Sequence, residues 1–262
     1  MTQETRFPTI RRVDNHFDLS GEITFVTGAT SGLGRHFARV LARSGAAVAL
    51  AGRRRDRLES AKAEIEKAGG RAAAIVVDVT DAAALAPALD AAEEALGPIS
   101  ILVNNAGLNV QSRAVDLDTA DFDRLMSTNL RAPFLLATEM GRRMIARGRG
   151  GRIVNIGSIG TFRPLSGLAA YCMSKAAIGM MTQSLGREWA RYEINVNALC
   201  PGYVPTELNS EWFAGEAGRK LVASFPRRRL MAESDLDDAL LFLASGRAVT
   251  GTLLTVDDGQ SL

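Results

Sequence analysis

The chain has 262 residues, 47 % of them apolar, and its 31 basic and 29 acidic side chains leave a net charge of +2. That balance gives no case for a nucleic-acid partner or a membrane surface. Two cysteines and two histidines, with no CxxC pair, exclude a disulfide framework and a Cys/His metal cluster, so no metal is expected and a soluble protein of the reducing cytoplasm is.

Residues 1–18 mix charged and apolar side chains without a continuous apolar stretch. They read as a surface arm, not as a signal peptide or an anchor. A single α/β domain is expected over 19–262. Within it, short apolar runs recur at 23–28, 46–52, 72–79, 99–107, 152–158, 194–202 and 253–259. Each run is continuous rather than alternating, as strands buried on both faces of a parallel sheet should be. Between them, 35–44, 56–68, 82–96, 121–147 and 168–192 read as helices, stopped by Gly45, Gly69, Gly97 and the glycines of 148–151. The predicted architecture is a doubly wound parallel sheet of about seven strands, a Rossmann fold.

The first strand runs into Thr27-Gly28-Ala29-Thr30-Ser31-Gly32-Leu33-Gly34 and then a helix. Gly28 permits a tight turn, Gly32 lets backbone amides approach a diphosphate, and Gly34 allows close helix-to-strand packing. Thr30, Ser31 and Leu33 complete this candidate dinucleotide loop. The second strand ends Ala51-Gly52-Arg53-Arg54, with no acid to hold an adenosine ribose hydroxyl. Arg53, with Arg54 and Ser31, is placed to pair with a 2′-phosphate, so NADP(H) is favoured over NAD(H).

Further along, Tyr171 precedes Lys175 by four residues, which puts both on one helix face. A phenol alone titrates too high for neutral-pH chemistry, and a neighbouring ammonium is expected to lower it toward the range of an acid/base catalyst. Lysine stands only at 62, 67, 175 and 220, and tyrosine only at 171, 192 and 203, so the pair is not background.

With these motifs in this order, the chain resembles the short-chain dehydrogenase/reductase family over almost its whole length, from about Leu19 to Leu262. The resemblance rests on 27–34, Asp78-Val79, Asn104-Asn105-Ala106-Gly107, Asn129, Ser158, Tyr171 with Lys175, and Pro201-Gly202 followed by Thr206. It implies an NAD(P)-dependent interconversion of ketone and secondary alcohol, with Asn129, Ser158, Tyr171 and Lys175 as the catalytic group. Asp78 and Val79 would hold the adenine; Asn105, Ala106 and Gly107 would line the cofactor; Pro201, Gly202, Val204 and Thr206 would contact its nicotinamide end. Ser158 would bind the carbonyl, Tyr171 would give the proton, Lys175 would hold the ribose, and Asn129 would support a helix irregularity that seats a relay water. The chain departs from the family at the missing acid after strand two, in its longer arm, and in VDDG where VDGG is frequent.

The substrate is expected at the carboxyl ends of the strands, against Ser158, Gly160, Phe162, Tyr203, Leu208 and Trp212, under a lid over about 203–232. Asn109, Thr161, Leu165 and Phe213 also stand there, Arg163 reads as surface, and the PRRRL run at 226–230 reads as a solvated hinge. Phe162, Trp212 and Phe213 read equally as core or subunit interface. Two similarities compete. One is to 3-oxoacyl thioester reductases, with an acyl carrier protein as partner and Arg149 at a docking position whose companion falls at Tyr192, one residue from Arg191. The other is to polyol and sugar-acid dehydrogenases. The thioester reading is preferred here. A cofactor-binding regulator without turnover is the alternative from another class, opposed by the intact tetrad. Leu135, Met140, Met144, Met180 and Met181 read as apolar outer positions, but a methionine stripe reads as core first and interface second, so it is mainly the resemblance that implies a homotetramer or homodimer. Cys172 is expected to point away from the tyrosine face as a small buried hydrophobe, and His36 to be structural.

Overall fold

The computed structural model describes residues 17–205 and 210–262. The expected arm lies outside the described residues as far as position 16, as do Thr206 and Leu208. Seven strands, β1 (Ile23–Thr27), β2 (Ala47–Gly52), β3 (Arg71–Val76), β4 (Ile101–Asn104), β5 (Gly151–Ile156), β6 (Ile194–Pro201) and β7 (Leu253–Val256), form one sheet in the order β3-β2-β1-β4-β5-β6-β7. Every pairing is parallel. The strand order reverses between β1 and β4, where a crevice opens at the carboxyl ends.

Successive residues of a strand point to opposite faces. Phe25, Ala49, Leu102 and Ile153 enter one apolar core and their neighbours Val26, Leu50, Val103 and Val154 enter the other. Helices cover both faces, so neither register of a strand is polar, and this is why the runs are continuous in sequence. The helices are α1 (Gly32–Arg43), α2 (Arg55–Lys67), α3 (Ala82–Leu96), α4 (Thr119–Met126), α5 (Ala132–Arg147), α6 (Ala169–Trp189), α7 (Ser210–Ala214), α8 (Glu216–Ser224) and α9 (Asp237–Ser245). Asp81 and Asp118 cap α3 and α4 by accepting the N–H of Ala83 and Ala120. Gly148, left-handed at φ 62°, ends α5.

Two expectations, on the methionines and on the run at 226–230, are corrected. The helix read over 121–147 is interrupted by a π-helical turn at Ser127–Arg131, the irregularity at Asn129 that the family resemblance implied. Pro133 lacks the N–H that the Asn129 carbonyl would receive in an unbroken α-helix, and the turn absorbs the mismatch. Met140, Met144 and Met181 are 0, 1 and 8 % exposed and pack inward; of the methionines proposed for an outer stripe only Met180 stays exposed. The run at 226–230 is no free hinge, because Arg227 and Arg229 both pair with Asp258. His36 is structural as expected, its Nε2 lying 2.6 Å from Asp237 Oδ1 and joining α1 to α9. Among the described residues no helix is long and apolar enough to cross a membrane, and no His/Cys/Asp/Glu group has a metal-holding arrangement.

Candidate active site

Between β1 and α1 the loop is shaped by close backbone approach. Gly28 holds φ 70° and Gly32 φ 50°, and a Cβ on Gly34 would stand 2.3 Å from the Gly28 carbonyl oxygen. Ser31 occupies the N-cap of α1 without a side-chain cap bond, so the N–H groups of the first turn remain available to an anion. Asn105 locks the loop to β4: its side-chain amide donates to the Thr27 carbonyl at 2.9 Å, and its N–H and that of Ala106 donate to Thr27 Oγ1 at 2.9 and 3.0 Å. Leu33 and Val204 pack on the apolar core, which holds the crevice walls in place. A tight backbone cradle at a helix N-terminus, on the switch point of the sheet, fits the diphosphate of a dinucleotide.

Arg54, rather than Arg53, reaches this cradle. Its Nη2 donates to Thr30 Oγ1 at 2.7 Å and to Ser31 Oγ at 3.0 Å. Arg53 is exposed and stands 3.8 Å from Asp78. Burial raises the Asp78 carboxyl, but hydrogen bonds from the Thr80 N–H and hydroxyl, with the Arg53 charge, bring it below the usual carboxylate range. The neighbouring Val79 is buried.

Ser158, Tyr171, Lys175 and Asn129 converge at the carboxyl ends of β4 and β5. Ser158 follows β5 and caps a short 3-10 turn (Ile159–Thr161), its Oγ accepting from the Gly160 N–H at 3.0 Å. The half-buried Tyr171 phenol is raised by burial, with a hydrogen bond to Ser158 opposing. Lys175 is 6 % exposed and donates to the Ile156 carbonyl at 2.7 Å. Burial lowers its ammonium to about 8. Asn129 pairs with both halves of Leu108, accepting from its N–H at 2.9 Å and donating to its carbonyl at 2.8 Å. The Asn129 Oδ1 and Lys175 Nζ flank one small space, 3.4 and 3.8 Å from where a Cβ on Gly107 would sit.

One electrostatic expectation is corrected. The Lys175 ammonium lies 5.7 Å from the Tyr171 ring centre and donates to the Ile156 carbonyl. The phenol is raised rather than lowered, because burial is the largest influence on it and outweighs the opposing Ser158 hydrogen bond. Sequence reasoning also missed Ser174, fully buried, which receives a bond from Asn129 Nδ2 at 3.2 Å and donates to the Tyr171 carbonyl at 2.7 Å. Its signal was a small hydroxyl residue directly before Lys175.

On the substrate side, Tyr203 is half-buried, stacked on Phe225 and edge-on to Phe213. Phe213 is buried, which decides for core, while Phe162 and Trp212 are exposed at 55 and 40 %. Cys172 is not turned away: it is half-buried, and a Cβ on Gly160 would lie 3.4 Å from its Sγ, from Leu165 Cδ1 and from Ser158 Oγ. Helix α6 starts at Ala169, so Tyr171 and Cys172 both stand in its first turn. Pro201 and Gly202 end β6 beside this wall. The two docking positions of the thioester reading stand elsewhere. Arg149 precedes β5 and Tyr192 precedes β6, at the amino ends of strands whose carboxyl ends carry the site, about 20 Å away at a rise of about 3.3 Å per residue. Arg191 is occupied with the Tyr192 hydroxyl at 2.6 Å.

Residues 22–217 match the short chain dehydrogenase family. The gluconate 5-dehydrogenase of Gluconobacter oxydans is 39 % identical over 93 % of this chain and 96 % of its own. The NAD-dependent glycerol dehydrogenase of Listeria innocua is 36 % identical over 97 % and 99 %. Among solved structures, a gluconate 5-dehydrogenase from Burkholderia cenocepacia in complex with NADP and tartrate superposes with a TM-score of 0.90 at 34 % identity, over 94 % of this chain and 98 % of that one. These relatives act on sugar acids and polyols by name, and they favour the secondary-alcohol reading over the thioester one. Fold, site order and relatives together make this chain a member of the short-chain dehydrogenase family, an NAD(P)-dependent oxidoreductase acting on CH–OH groups.

Proposed function

We propose that the protein interconverts a secondary hydroxyl and a ketone on a polyol or sugar acid, using NADP(H) in preference to NAD(H). The observation that carries the chemistry is the Tyr171 phenol held against the Ser158 hydroxyl, with Lys175 and Asn129 around the space at Gly107. A bound nicotinamide supplies the acceptor or donor of the hydride. In oxidation the substrate hydroxyl passes its proton to Tyr171 as the phenolate while the C–H electron pair leaves as hydride; reduction reverses both transfers. Ser158 hydrogen-bonds the reacting oxygen and holds charge that develops on it. Lys175, close to its own titration, would hold the cofactor ribose through the N–H groups that Ile156 leaves free, and would pass protons between Tyr171 and the space by Asn129. Because burial keeps Tyr171 protonated, reduction starts from the form the site favours and oxidation gains as pH rises.

Gly28, Thr30, Ser31, Gly32 and Gly34 would bind the diphosphate, and Arg54 with Ser31 the 2′-phosphate. That arginine, with no acid at the end of β2, supports NADP(H), although the relatives include an NAD-dependent enzyme. Asp78 and Val79 would meet the adenine, and Asn105, Ala106, Gly107, Pro201, Gly202 and Val204 would line the remainder. A homo-oligomer belongs to the same reading, supported by Phe134, Met173 and Met180, which stay exposed on α5 and α6. Initial rates with gluconate, galactitol and glycerol, each with NADP+ and NAD+, test the proposal. Oxidation of at least one, lost in Tyr171→Phe with the fold intact, is expected; no turnover of any of them, or full activity in the variant, would overturn it.

A further inference from the structure

The segment from Tyr203 to Met231 leaves β6 and returns beside its own start, where the Met231 N–H donates to the Tyr203 carbonyl at 3.1 Å. A side chain from outside the segment ties both of its feet. Gln260, 6 % exposed, accepts the Tyr203 N–H through Oε1 at 2.6 Å and donates through Nε2 to the Arg229 carbonyl at 3.2 Å. The tail that carries it is itself ordered around Asp257, whose carboxylate receives the N–H groups of Gly259 and Ser261 at 3.0 and 2.9 Å. The fit is close enough to explain Gly202 without a ligand: a Cβ there would stand 2.4 Å from Gln260 Oε1.

Asp258 makes a second tie. Its side chain is 10 % exposed and meets Arg227 Nε at 3.1 Å and Arg229 Nε at 2.7 Å. Asp258 and Arg228 both hold left-handed backbone, φ 55° and 51°, which glycine would adopt without strain. In that conformation one carboxylate meets two guanidiniums, a charge-assisted pair of contacts at the second foot. From the first foot the path to the substrate wall is short. The Tyr203 ring stacks on Phe225 at 5.4 Å between ring centres and meets Phe213 of α7 edge-on at 5.8 Å. A displaced Tyr203 backbone therefore displaces the aromatic wall.

We propose that Gln260 and Asp258 are positioning residues: the C-terminal tail sets where the Tyr203 wall stands, and through it the affinity for substrate. The inference rests on the proposed function, with its substrate standing beside Tyr203 and Gly160 as the sequence leads one to expect.

The test replaces Gln260 by Met, which keeps the volume and removes both bonds, in the full chain. Substrate KM is expected to rise about tenfold, the worth of one buried hydrogen bond, with kcat and cofactor KM held within about twofold. Amide exchange at Tyr203 and Met231 should quicken by a similar factor. Gln260→Glu keeps an acceptor for Tyr203 and should recover part of the KM. Should Gln260→Met fail to fold, Asp258→Asn, which keeps the shape of the side chain and removes its charge, carries the test, with KM raised about threefold and its dependence on salt flattened. Unchanged exchange, unchanged substrate KM, or kcat and KM failing together with lost thermal stability would overturn the inference. The exchange measurement needs no substrate, so a wild type inactive on every polyol and sugar acid would sink the proposed function and leave this reading to be decided separately.

Discussion

Around the glycine loop main-chain atoms stand in the closest contacts: the Gly28 carbonyl under Gly34, the Thr27 carbonyl accepting from the Asn105 side chain, the free N–H groups at the start of α1. Around the proposed substrate wall the contacts are mostly between side chains drawn from far apart, Tyr203 on Phe213 and Phe225, Cys172 and Leu165 near Gly160, with the Gln260 side chain on the Tyr203 N–H. A backbone cradle has no slack, because moving a main-chain atom moves the strand or helix behind it. A side-chain wall can be resized one residue at a time. One fold can therefore keep its cofactor chemistry while its substrate changes, and relatives named for gluconate and for glycerol can share this scaffold.

Substitutions can break that comparison. The largest effect is expected at the junction of the two regions, where Tyr171→Phe should cut turnover by about 10²- to 10⁴-fold with unchanged circular dichroism. A variant retaining a tenth of the activity would mean that another group handles the proton. Next, Gly34→Ala puts a Cβ at 2.3 Å from a carbonyl and should cost about 3 kcal/mol or more in denaturant unfolding, with cofactor binding lost. Gly160→Ala is its counterpart on the substrate side, where every neighbour is at 3.4 Å; it should fold normally and change only substrate KM. If the two alanine variants behave alike, the distinction between backbone cradle and side-chain wall fails.

Lys175 offers a test by pH. Its ammonium falls from an ordinary 10.5 to about 8 on burial, so the unfolded chain binds the proton more tightly. Folding then carries the full penalty below about 8, and the penalty is relieved as pH climbs from there to about 10.5. Lys175→Met should be inactive yet more stable than wild type at pH 7, by a few kcal/mol at about 1.4 kcal/mol per unit, and the margin should vanish near pH 10.5. Equal melting temperatures across this range would show that the Ile156 hydrogen bond fully offsets the burial. The smallest effect is expected from Arg54→Ala, which should raise the NADP+ KM about tenfold, the value of a charged hydrogen bond, and leave NAD+ nearly untouched. Equal loss for both cofactors would make Arg54 a brace for the Thr30 and Ser31 loop.

Much of the cradle was legible before any coordinates. Gly28 and Gly32 stand where the backbone is left-handed and Gly34 where a Cβ has no room, so the residue type carries the geometry. The wall was less so. Phe213 is buried and Trp212 is exposed although they are adjacent aromatic residues of α7. Met140 and Met144 turned inward because α3 and β5 pack on that side of α5, where the sequence leads one to expect an outer, interface-facing position. Cys172 lies by the Ser158 turn, its Sγ and the Ser158 Oγ each 3.4 Å from where a Cβ on Gly160 would stand.

Sequence by itself determined the parallel sheet, the loop ahead of α1 and the tyrosine and lysine on one helix face. Each follows from local rules of residue type, period and spacing that act within a turn or a strand. Only the tertiary structure decided that Lys175 donates to the Ile156 carbonyl, that Arg54 rather than Arg53 lies on the cradle, and that Gln260 holds Tyr203 from 57 positions away. Those outcomes depend on burial and on which distant backbone group arrives within 3 Å or so, and neither is encoded in the spacing of neighbours along the chain.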